Sequence, residues 1–382
     1  MDASEGRQES ANPVEGRRGR PTMTDVARMA GVSQSSVSLV LNDMTGSRIS
    51  AETRARVWDA ARQIGYALPA IRRKALNGVR ERTTIAYLVD EISTSPHPVV
   101  NLDGARDTAF AHGVLVAAHV TRSNPELEAA TVEALLRDRS VIGVIYSTIF
   151  TRRVALPPAL EGVPLVLVNC YTEPRRHLSI LPAEVSGGRR AAAHLISLGH
   201  TRIGFINGEP WMDAAADRLD GYAQALAAHG LPFDESLVRN GDWLPASGYA
   251  GALDLLRLPK RPTALFCGND LMAIGAVEAA NSLGLRVPVD VSILGYDDQE
   301  LARYSHPPLS SLVLPNYEMG ARGAQALIDT ALKGKPSRAR TVFVEGPLVP
   351  RLSTGPAPQG AARPSAGDGR GAVPALSASP AE

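Results

Sequence analysis

The first residues whose chemistry stands out lie in the segment TMTDVARMAGVSQSSVSLVLN (22–42). Gln34 and Ser35 are the first exposed positions of a predicted second helix there. A glutamine side chain can form two hydrogen bonds to the edge of an adenine, and a serine hydroxyl can donate or accept. Short polar side chains that suit phosphate oxygens lie around them, namely Ser33, Ser36, Ser38 and Asn42. The segment is therefore predicted to contact duplex DNA through both base edges and backbone.

A second group of polar side chains lies where predicted strands end. Its members are Asn169 in PLVLVNC, Asn269 and Asp270 after TALFC, and Asp297 and Asp298 in SILGYDD. Ligands of α/β proteins bind at the carboxyl ends of strands, and carboxylates and amides form hydrogen bonds to hydroxyl groups. We therefore predict a site for a small ligand there, with side chains that could bond to its hydroxyl groups. Ser93 and His97, in the segment that opens the first helix of this region, could close over the ligand.

Three short helices are predicted to position the DNA-contacting residues. Thr24, which is also predicted to lie at the DNA surface, can cap the first helix, and Gly31 permits the sharp turn after it. Ser33 can cap the second helix and Ser50 the third. Apolar residues would lock the first two helices at a steep angle, namely Ala27, Val32 and Val37. The amino end of the second helix would then be free to enter a major groove, as in a helix-turn-helix.

The distribution of charge favours a polyanion partner for this region alone. Residues 16–82 hold 13 Lys and Arg against five Asp and Glu, a net charge of +8. The whole chain has a net charge of +1, so the remaining residues must carry −7. A basic head on a mildly acidic body is typical of a protein that contacts nucleic acid through its head, although a solvated basic surface would give the same count.

Beyond about residue 83, short apolar runs alternate with amphipathic segments. The runs are TIAYLVD (84–90), VLVAAHV (114–120), VIGVIYS (141–147), PLVLVNC (164–170), RIGFING (202–208), TALFCGN (263–269) and SILGYDD (292–298). Predicted helices between them include 125–138, 188–199, 216–229 and 270–283. Continuous apolar strands that alternate with helices indicate parallel sheets covered on both faces. Two such series predict two α/β lobes with a ligand cleft between them.

Length and composition restrict the class of protein. The 382 residues suffice for two or three domains, and 44% hydrophobic with 21% charged residues exclude wholesale disorder. No apolar run could span a membrane, the first 20 residues lack the apolar core of a secretory signal, and two cysteines exclude a disulfide scaffold. We expect a cytoplasmic protein with a disordered arm over 1–20 and a disordered tail over 354–382.

Signatures of enzymes and cofactor sites are absent from the sequence. It contains no Gly-x-Ser-x-Gly nucleophile elbow, phosphate-binding P-loop, dinucleotide Gly-x-Gly-x-x-Gly or His-Glu-x-x-His. The eight histidines show no spacing typical of metal ligands. We expect neither a metal nor a cofactor, and an enzyme is left as a weak alternative that a turnover assay would reveal.

The segments 22–42 and RISAETRARVWDAARQIGY (48–66) resemble the head of the lactose-repressor (LacI/GalR) family of bacterial transcription regulators. The likeness continues through HLISLGHTRIGFING (194–208), ADRLDGYAQAL (216–226), ALFCGNDLMAIGAVEA (264–279) and VSILGYDDQELARYSHPPLSSL (291–312). It covers about residues 22–352 in the right order and spacing.

The resemblance implies an all-α helix-turn-helix head of the lambda-repressor type (21–66), a hinge (67–82) and a two-lobed body like that of periplasmic binding proteins (83–353). The first lobe is expected at about 83–183 and 314–341, and the second at about 184–313 and 342–353.

The resemblance also implies a repressor that binds a palindromic operator as a homodimer, with one head per half-site. In the family, bases are contacted by the first two positions of the second helix, here Gln34 and Ser35, and often by an arginine later in it. Leu39 occupies that later position in this chain. A leucine can touch a thymine methyl group but cannot bond to guanine, so the operator is expected to differ from those of arginine-bearing relatives.

The hinge segment of the family forms a helix on the operator and presses a leucine into the minor groove. Leu76 matches that leucine, and inserting it would unstack a base step and bend the duplex. Arg72 and Arg73 stand where the family usually has smaller residues, and arginine favours a narrow, A·T-rich minor groove. The alternative is a basic linker that only neutralises phosphates.

For the body, the resemblance adds Arg218 in ADRLDGY and Trp243 in GDW to the ligand site. Arg218 would supply a forked donor, and the indole of Trp243 would cover the apolar side of a sugar ring. The implied effector is a sugar or a related metabolite. Whether it releases or strengthens operator binding is left open by the sequence.

Each of these residues has a structural alternative. Asn269 and Asp270 could simply cap the following helix, Asp298 could cap a turn, and Arg218 could pair with Asp213 or Asp217. The rival function is a sugar carrier of the periplasmic type, which the basic head and the lack of an export signal disfavour.

Overall fold

The computed structural model describes residues 22–41, 49–64, 66, 83–334 and 339–358. They belong to two compact units, one within residues 1–79 and the other within residues 80–382. The predictions for the arm (1–20), the hinge (67–82, with Arg72, Arg73 and Leu76), Asn42 and the tail beyond 358 lie outside the described residues.

The described part of the first unit is a three-helix head formed by α1 (Met23–Ala30), α2 (Gln34–Leu41) and α3 (Ala51–Gln63). One apolar cluster joins the three helices, and Val26, Val37 and Val57 are completely buried in it. Helices this short are marginal in isolation, so burial of such side chains, at about 1.5–3 kcal/mol each, is what stabilises them. The predicted all-α head is confirmed.

The ends of the head helices follow from their capping residues. Ser33 and Ser50 cap α2 and α3 as predicted, because their Oγ atoms accept the backbone N–H of Ser36 at 3.0 Å and of Thr53 at 3.2 Å. The prediction that Thr24 caps α1 is wrong. Thr22 is the cap, since Asp25 lies three residues after it and bonds back to its backbone N–H at 2.9 Å, which completes a capping box.

Strands and helices alternate through the second unit. The strands are β1 (Thr84–Val89), β2 (Leu115–Val120), β3 (Val141–Arg153), β4 (Leu165–Tyr171), β5 (Leu178–Pro182), β6 (Ile203–Asn207), β7 (Val238–Asn240), β8 (Ala264–Cys267), β9 (Ser292–Asp297), β10 (Ser310–Val313), β11 (Arg340–Val344) and β12 (Leu348–Val349). The helices are α4 (His97–Ala111), α5 (Pro125–Arg137), α6 (Glu184–Ser197), α7 (Asp213–Ala228), α8 (Pro245–Leu256), α9 (Asp270–Ser282), α10 (Leu301–Tyr304) and α11 (Asn316–Lys333). No helix among the described residues combines the length and apolar character needed to cross a membrane.

The strands form two sheets, one in each lobe. The first sheet has the order β11-β5-β4-β3-β1-β2 and is parallel throughout. The second has the order β12-β10-β9-β8-β6-β7 and is parallel except for the antiparallel edge pair β10–β12. Helices α4 and α11 cover one face of the first sheet and α5 the other, while α8 and α9 oppose α6 and α7 on the second. The predicted two-lobed α/β body is confirmed.

Three connections cross between the lobes, after β5, after β10 and after β11. The third crossing lies later than expected. Strand β11 pairs with β5 as far as Val344, so the first lobe continues past the boundary predicted at 341–342.

Residues just beyond the second lobe are packed, although the tail was expected to begin at 354. The Nε2 atom of buried His200 lies 3.0 Å from the carbonyl oxygen of Gly355, and the Ala357 N–H donates to the Leu198 carbonyl at 2.9 Å. The prediction that the tail begins at 354 is therefore wrong for these residues, because their backbone bonds anchor the chain to the second lobe.

Helices α4 and α11 approach closely enough to require glycine on both. A Cβ atom at Gly104 would overlap the Tyr317 carbonyl, and one at Gly320 would overlap the Asn101 carbonyl. We predict that Gly104→Ala lowers the free energy of unfolding by about 1–3 kcal/mol, measured by chemical denaturation. An open helical site would instead gain about 1 kcal/mol from the same change, so increased stability would contradict the close approach.

Candidate nucleic-acid interface and ligand cleft

The candidate base-contacting residues lie on the part of α2 that the head core leaves accessible. Gly31 ends α1 with a φ of 65°, and its N–H donates to the Ala27 carbonyl, so the chain turns sharply before α2. Ser35 is exposed, and Gln34 and Leu39 are half-buried. The amino end of α2 is therefore open to a partner, with Ser35 foremost.

The hydroxyl groups near this helix end are partly engaged within the head. The Oγ atoms of Ser33 and Ser36 are 2.9 Å apart and share a hydrogen bond. Thr24 and Ser38 are half-buried. The first N–H groups of a helix and its dipole favour an anion, so this end of α2 suits a phosphate.

In the body, Arg218 on α7 forms a buried ion pair. Its Nε and Nη2 atoms donate to the two carboxylate oxygens of Glu184 at 2.8 Å each, and Nη1 donates to the Gly268 carbonyl at 2.5 Å. The two side chains are only 4% and 3% exposed. Asp213 and Asp217, which the sequence offered as partners, are not bonded to it. That structural alternative is wrong, because α6 places the carboxylate of Glu184 against the guanidinium instead.

Two aromatic rings and the ion pair fix the charge of Arg218. Its Cζ atom lies 3.7 Å from the ring centre of Tyr296 and 5.5 Å from that of Trp243. Burial opposes the charged form, but Glu184, helped by Tyr296 and Asp297, outweighs burial and raises the pKa of Arg218. The guanidinium therefore stays ionised and held in one place.

Asp297 connects this cluster to the opposite lobe. Its Oδ1 atom is 3.8 Å from Arg218 Nη2, and its Oδ2 atom is 3.4 Å from Nε2 of His97, at the start of α4. His97 Nδ1 in turn lies 3.0 Å from the side-chain nitrogen of Asn316. The carboxyl ends of the two sheets thus face each other, and Asp297 lies between a residue of each lobe.

Asn269 lies in the same cluster, where both ends of its amide are engaged. Its Oδ1 atom accepts the N–H of Met272 at 2.8 Å, which caps α9, and its Nδ2 atom donates to the Trp243 carbonyl at 2.9 Å. The capping alternative is therefore present, and the same side chain also positions Trp243. Its neighbour Asp270 is buried and accepts a hydrogen bond from Ser311 at 2.6 Å; burial raises the pKa of Asp270 well above its usual range.

Four residues at this edge have left-handed backbone, which is strained in residues other than glycine. The φ angles are 61° at Asn169, 68° at Trp243, 101° at Asp297 and 52° at Asp298. Such strain concentrates at functional sites, where the surrounding structure holds it in place. The sequence analysis named all four as candidate ligand contacts, Trp243 through the family resemblance.

The remaining predicted residues are not part of the cluster around Arg218. The Asn169 amide, at the end of β4, bonds to the Thr148 carbonyl at 3.0 Å and to Thr151 Oγ1 at 2.6 Å, within the first lobe. Ser93 is exposed, and its hydroxyl donates to Glu91 at 2.7 Å. Asp298 forms an ion pair with Arg351 at 2.5 Å instead of capping a turn.

Sequence reasoning missed Glu184 and Tyr296, both in contact with Arg218. One signal was available for Glu184. The helix that begins at Glu184 contains Gly187 and Gly188, and a Cβ atom at Gly188 would overlap the backbone of Arg218. Two adjacent glycines in a helical pattern indicate close approach of another element, which here brings α6 and α7 together.

Metal binding has no support in this geometry. Across the ranges 22–41, 49–66 and 83–358, so far as they are described, no group of three His, Cys, Asp or Glu side chains could hold a metal ion. Buried His200 instead bonds to Thr263 and lies beside Ser292, and burial lowers its pKa.

The head and the body each match a described family. "Bacterial regulatory proteins, lacI family" matches residues 22–68, and "Periplasmic binding protein-like domain" matches residues 192–354. Together with the helix-turn-helix head and the two-lobed body, these matches define a class of DNA-binding transcription regulators. A free-standing sugar carrier is therefore the wrong alternative.

Individual relatives extend the match over most of the chain. HTH-type transcriptional repressor PurR of Proteus mirabilis is 32% identical over 342 residues, which cover 88% of this chain and 98% of that protein. A complex of transcriptional regulator CelR with cellobiose shares 31% identity at a TM-score of 0.60, over 87% of this chain and 100% of that one. The Lac repressor dimer bound to operator and the anti-inducer ONPF shares 28% identity at a TM-score of 0.61, over 88% of this chain and 100% of that one. This chain belongs to the LacI family: it is a DNA-binding transcriptional repressor and not an enzyme.

Proposed function

We propose that this repressor binds a palindromic operator as a homodimer and that a sugar or related polyhydroxyl metabolite in the interlobe cleft controls that binding. The observation that carries the proposal is the cluster of Arg218, Asp297 and Trp243 between the carboxyl ends of the two sheets. Arg218 supplies a hydrogen-bond donor, Asp297 an acceptor and Trp243 an aromatic ring, and a sugar can bind to all three.

The hydrogen-bonding capacity of the cluster matches neighbouring hydroxyl groups. A guanidinium has five N–H groups, and the bonds to Glu184 and Gly268 use three of them. Two N–H groups can therefore donate to ligand oxygens, while the Asp297 carboxylate can accept from a hydroxyl. The indole of Trp243 supplies an apolar face for the C–H side of a sugar ring.

Two solved relatives support this class of ligand. CelR was solved with cellobiose, and the Lac repressor with ONPG. Asn269 and His97 frame the same cleft and are proposed to contact the effector at its edge, and Asn169 and Ser93 are proposed to contact it from the first lobe. All four side chains already have partners within the protein, which they would share with the effector or release.

For the head, we propose that Gln34 and Ser35 contact base edges and that Leu39 contacts a thymine methyl group. Ser33, Ser36, Ser38, Thr24 and Asn42 are proposed to lie near phosphates. Leu76, Arg72 and Arg73 would act in the minor groove.

For the ligand to control DNA binding by the head, the two lobes must change their relative orientation. Tyr171 donates to Asp213 across the lobes at 2.9 Å, and the rings of Phe150 and Trp211 meet edge to face at 5.5 Å. A ligand that binds between the lobes can have a higher affinity for one of their relative orientations than for another. Only such a difference in affinity can shift operator binding.

Exposed apolar side chains on the first lobe support a homodimer. They lie on α4, edge strand β2 and α5, and they are Val99, Phe110, Leu115, Leu127 and Leu136, each 40–49% exposed. Large apolar groups left in water on an edge strand and its flanking helices are typical of a subunit interface.

We predict that Phe110→Asp converts the dimer to monomers, because a carboxylate would be buried without a partner at the interface. Sedimentation velocity of the full-length chain measures the change, and operator affinity is expected to fall with it. Phe343→Asp is the matched control, since Phe343 is also exposed but lies on β11, the opposite edge of the same sheet. A Phe110→Asp protein that remains dimeric would contradict this interface.

The effector is identified by melting the full-length protein with a panel of mono- and disaccharides. At least one sugar should raise the melting temperature and should do so only while Arg218 is present. If no sugar stabilises the protein, or if stabilisation persists without Arg218, the assignment of the cleft is wrong.

A further inference from the structure

We propose that Glu184 makes the cleft selective against negatively charged ligands, so that the effector is a neutral polyhydroxyl compound and not its phosphorylated or carboxylated counterpart. The inference rests on the proposed effector function of the cleft. It follows from the charges that surround Arg218.

An arginine that presents the Nε and Nη2 edge of its fork is a strong receptor for a phosphate or a carboxylate. In this protein, that edge is already occupied by both oxygens of Glu184, at 2.8 Å each. The pair is almost completely buried, so little solvent screens it. An incoming anion would have to displace a carboxylate that the fold itself supplies.

The other arginines at the strand ends already face a carboxylate, although the buried Nε atom of Arg152 has no hydrogen-bond partner among the described residues. Arg152 is paired with Asp90 at 2.9 Å, and Arg351 is paired with Asp298 at 2.5 Å. Asp297 shares Arg218 with Glu184, at a longer distance of 3.8 Å. Around Arg218 two carboxylates therefore face one guanidinium, and an added anion would be repelled.

A groove of about 730 Å³ that adjoins Glu184 has the same character. Four carboxylates line it, from Glu184, Asp213, Asp217 and Glu345, against the two arginines Arg175 and Arg189. Burial raises the pKa of Asp217 to about 6, and the nearby carboxylates of Glu184 and Asp213 add to that rise. A ligand that reaches the cluster from this side meets the same excess of carboxylates.

A neutral polyol meets no such penalty. It can accept from the two remaining N–H groups of Arg218 and donate to Asp297 without adding charge. The arrangement therefore separates two ligands that share a sugar ring and differ only in an anionic substituent. Glu184 is a specificity-determining residue that acts through Arg218.

The test measures, by calorimetry, the affinity of the full-length protein for neutral sugars and for their anionic counterparts. The pairs are glucose and glucose 6-phosphate, galactose and galacturonate, and ribose and ribose 5-phosphate. For any pair that binds wild type, the anionic member should bind roughly 100-fold more weakly. E184Q should narrow that gap to about tenfold. E278Q is the matched control, since Glu278 is exposed on α9, does not line the groove and does not contact Arg218. Equal binding of an anionic member to wild type, or an unchanged gap in E184Q, would overturn the proposal.

A second arm uses inorganic phosphate and does not depend on which sugar is the effector. At constant ionic strength, phosphate should change the melting temperature of wild type no more than it changes that of R218Q, because any phosphate bound at the head contributes equally to both. It should raise that of folded E184Q/D297N, in which Arg218 has lost both carboxylates. If this variant does not fold, the melting temperature of E184Q alone is measured, and phosphate should raise it. Phosphate that stabilises wild type through Arg218, or that fails to stabilise the folded variant, would overturn the proposal. If no sugar binds at all, the proposed effector function fails, while the phosphate result still decides the charge selectivity of the cluster.

Discussion

Replacing Arg218 with glutamine is expected to abolish the response of operator binding to the effector while operator binding itself is retained. The guanidinium is the donor at the centre of the cleft cluster, and a glutamine cannot reach ligand oxygens with the same fork. The head lies in a separate unit of the chain, so its contacts with DNA do not need Arg218. Titrating the effector into a complex of the full-length variant with operator DNA measures the loss. A variant that responds at normal effector concentrations would remove Arg218 from the site.

The same substitution is expected to lower the free energy of unfolding by about 3–5 kcal/mol, because Glu184 would remain buried without its partner. Arg202→Gln is the matched control. Arg202 pairs with Asp234 in the same lobe, but both side chains are more than one third exposed, so the loss should be about 0–1 kcal/mol.

The double variant E184Q/R218Q separates the two effects of Arg218. With both charges removed, stability should recover toward that of wild type, while the effector response stays absent. Recovery of the response together with stability would show that Arg218 acts only through the fold.

Gln34→Ala is expected to relax the choice of operator sequence and to cost about 1–3 kcal/mol of binding free energy on the best operator. A bidentate contact to a base edge discriminates between bases, whereas the contacts to phosphates that remain do not. Selection of bound duplexes from a random pool measures the sequence profile. One base pair in each half-site should lose its preference.

Gln63→Ala provides the control for that change. Gln63 is the same type of residue, exposed at the last position of α3, and it is not among the residues predicted to contact DNA. Its replacement should leave the selected profile unchanged. An unaltered profile for Gln34→Ala as well would refute its role at the base edge.

Much of the fold could be predicted because local signals and apolar periodicity agree. The helix predicted at 270–283 is Asp270–Ser282, and the one predicted at 125–138 is Pro125–Arg137, each preceded by an asparagine cap. The cap of α1 was misplaced by two residues because two threonines satisfy the composition rule. Only the position of Asp25 distinguishes them.

The candidate site could be predicted only in part. Asn269 and Asp297 follow apolar strands, so their place at the carboxyl edge of the sheet is readable from the sequence. Glu184 is 34 residues from Arg218, and their pairing depends on how closely α6 and α7 pack. Local sequence offered Asp213 and Asp217, which are nearer along the chain. Tertiary contacts decide which buried charges pair. The apolar periodicity of the sequence does not predict those contacts.

The most direct test of the central claim is the affinity of the full-length protein for its selected operator, measured with and without a sugar shown by calorimetry to bind the cleft. A coupling of about 1–3 kcal/mol predicts that saturating sugar changes operator affinity by about 5- to 150-fold, in either direction. An affinity that stays the same at saturation would contradict the account, and so would a protein that prefers no duplex over genomic competitor DNA.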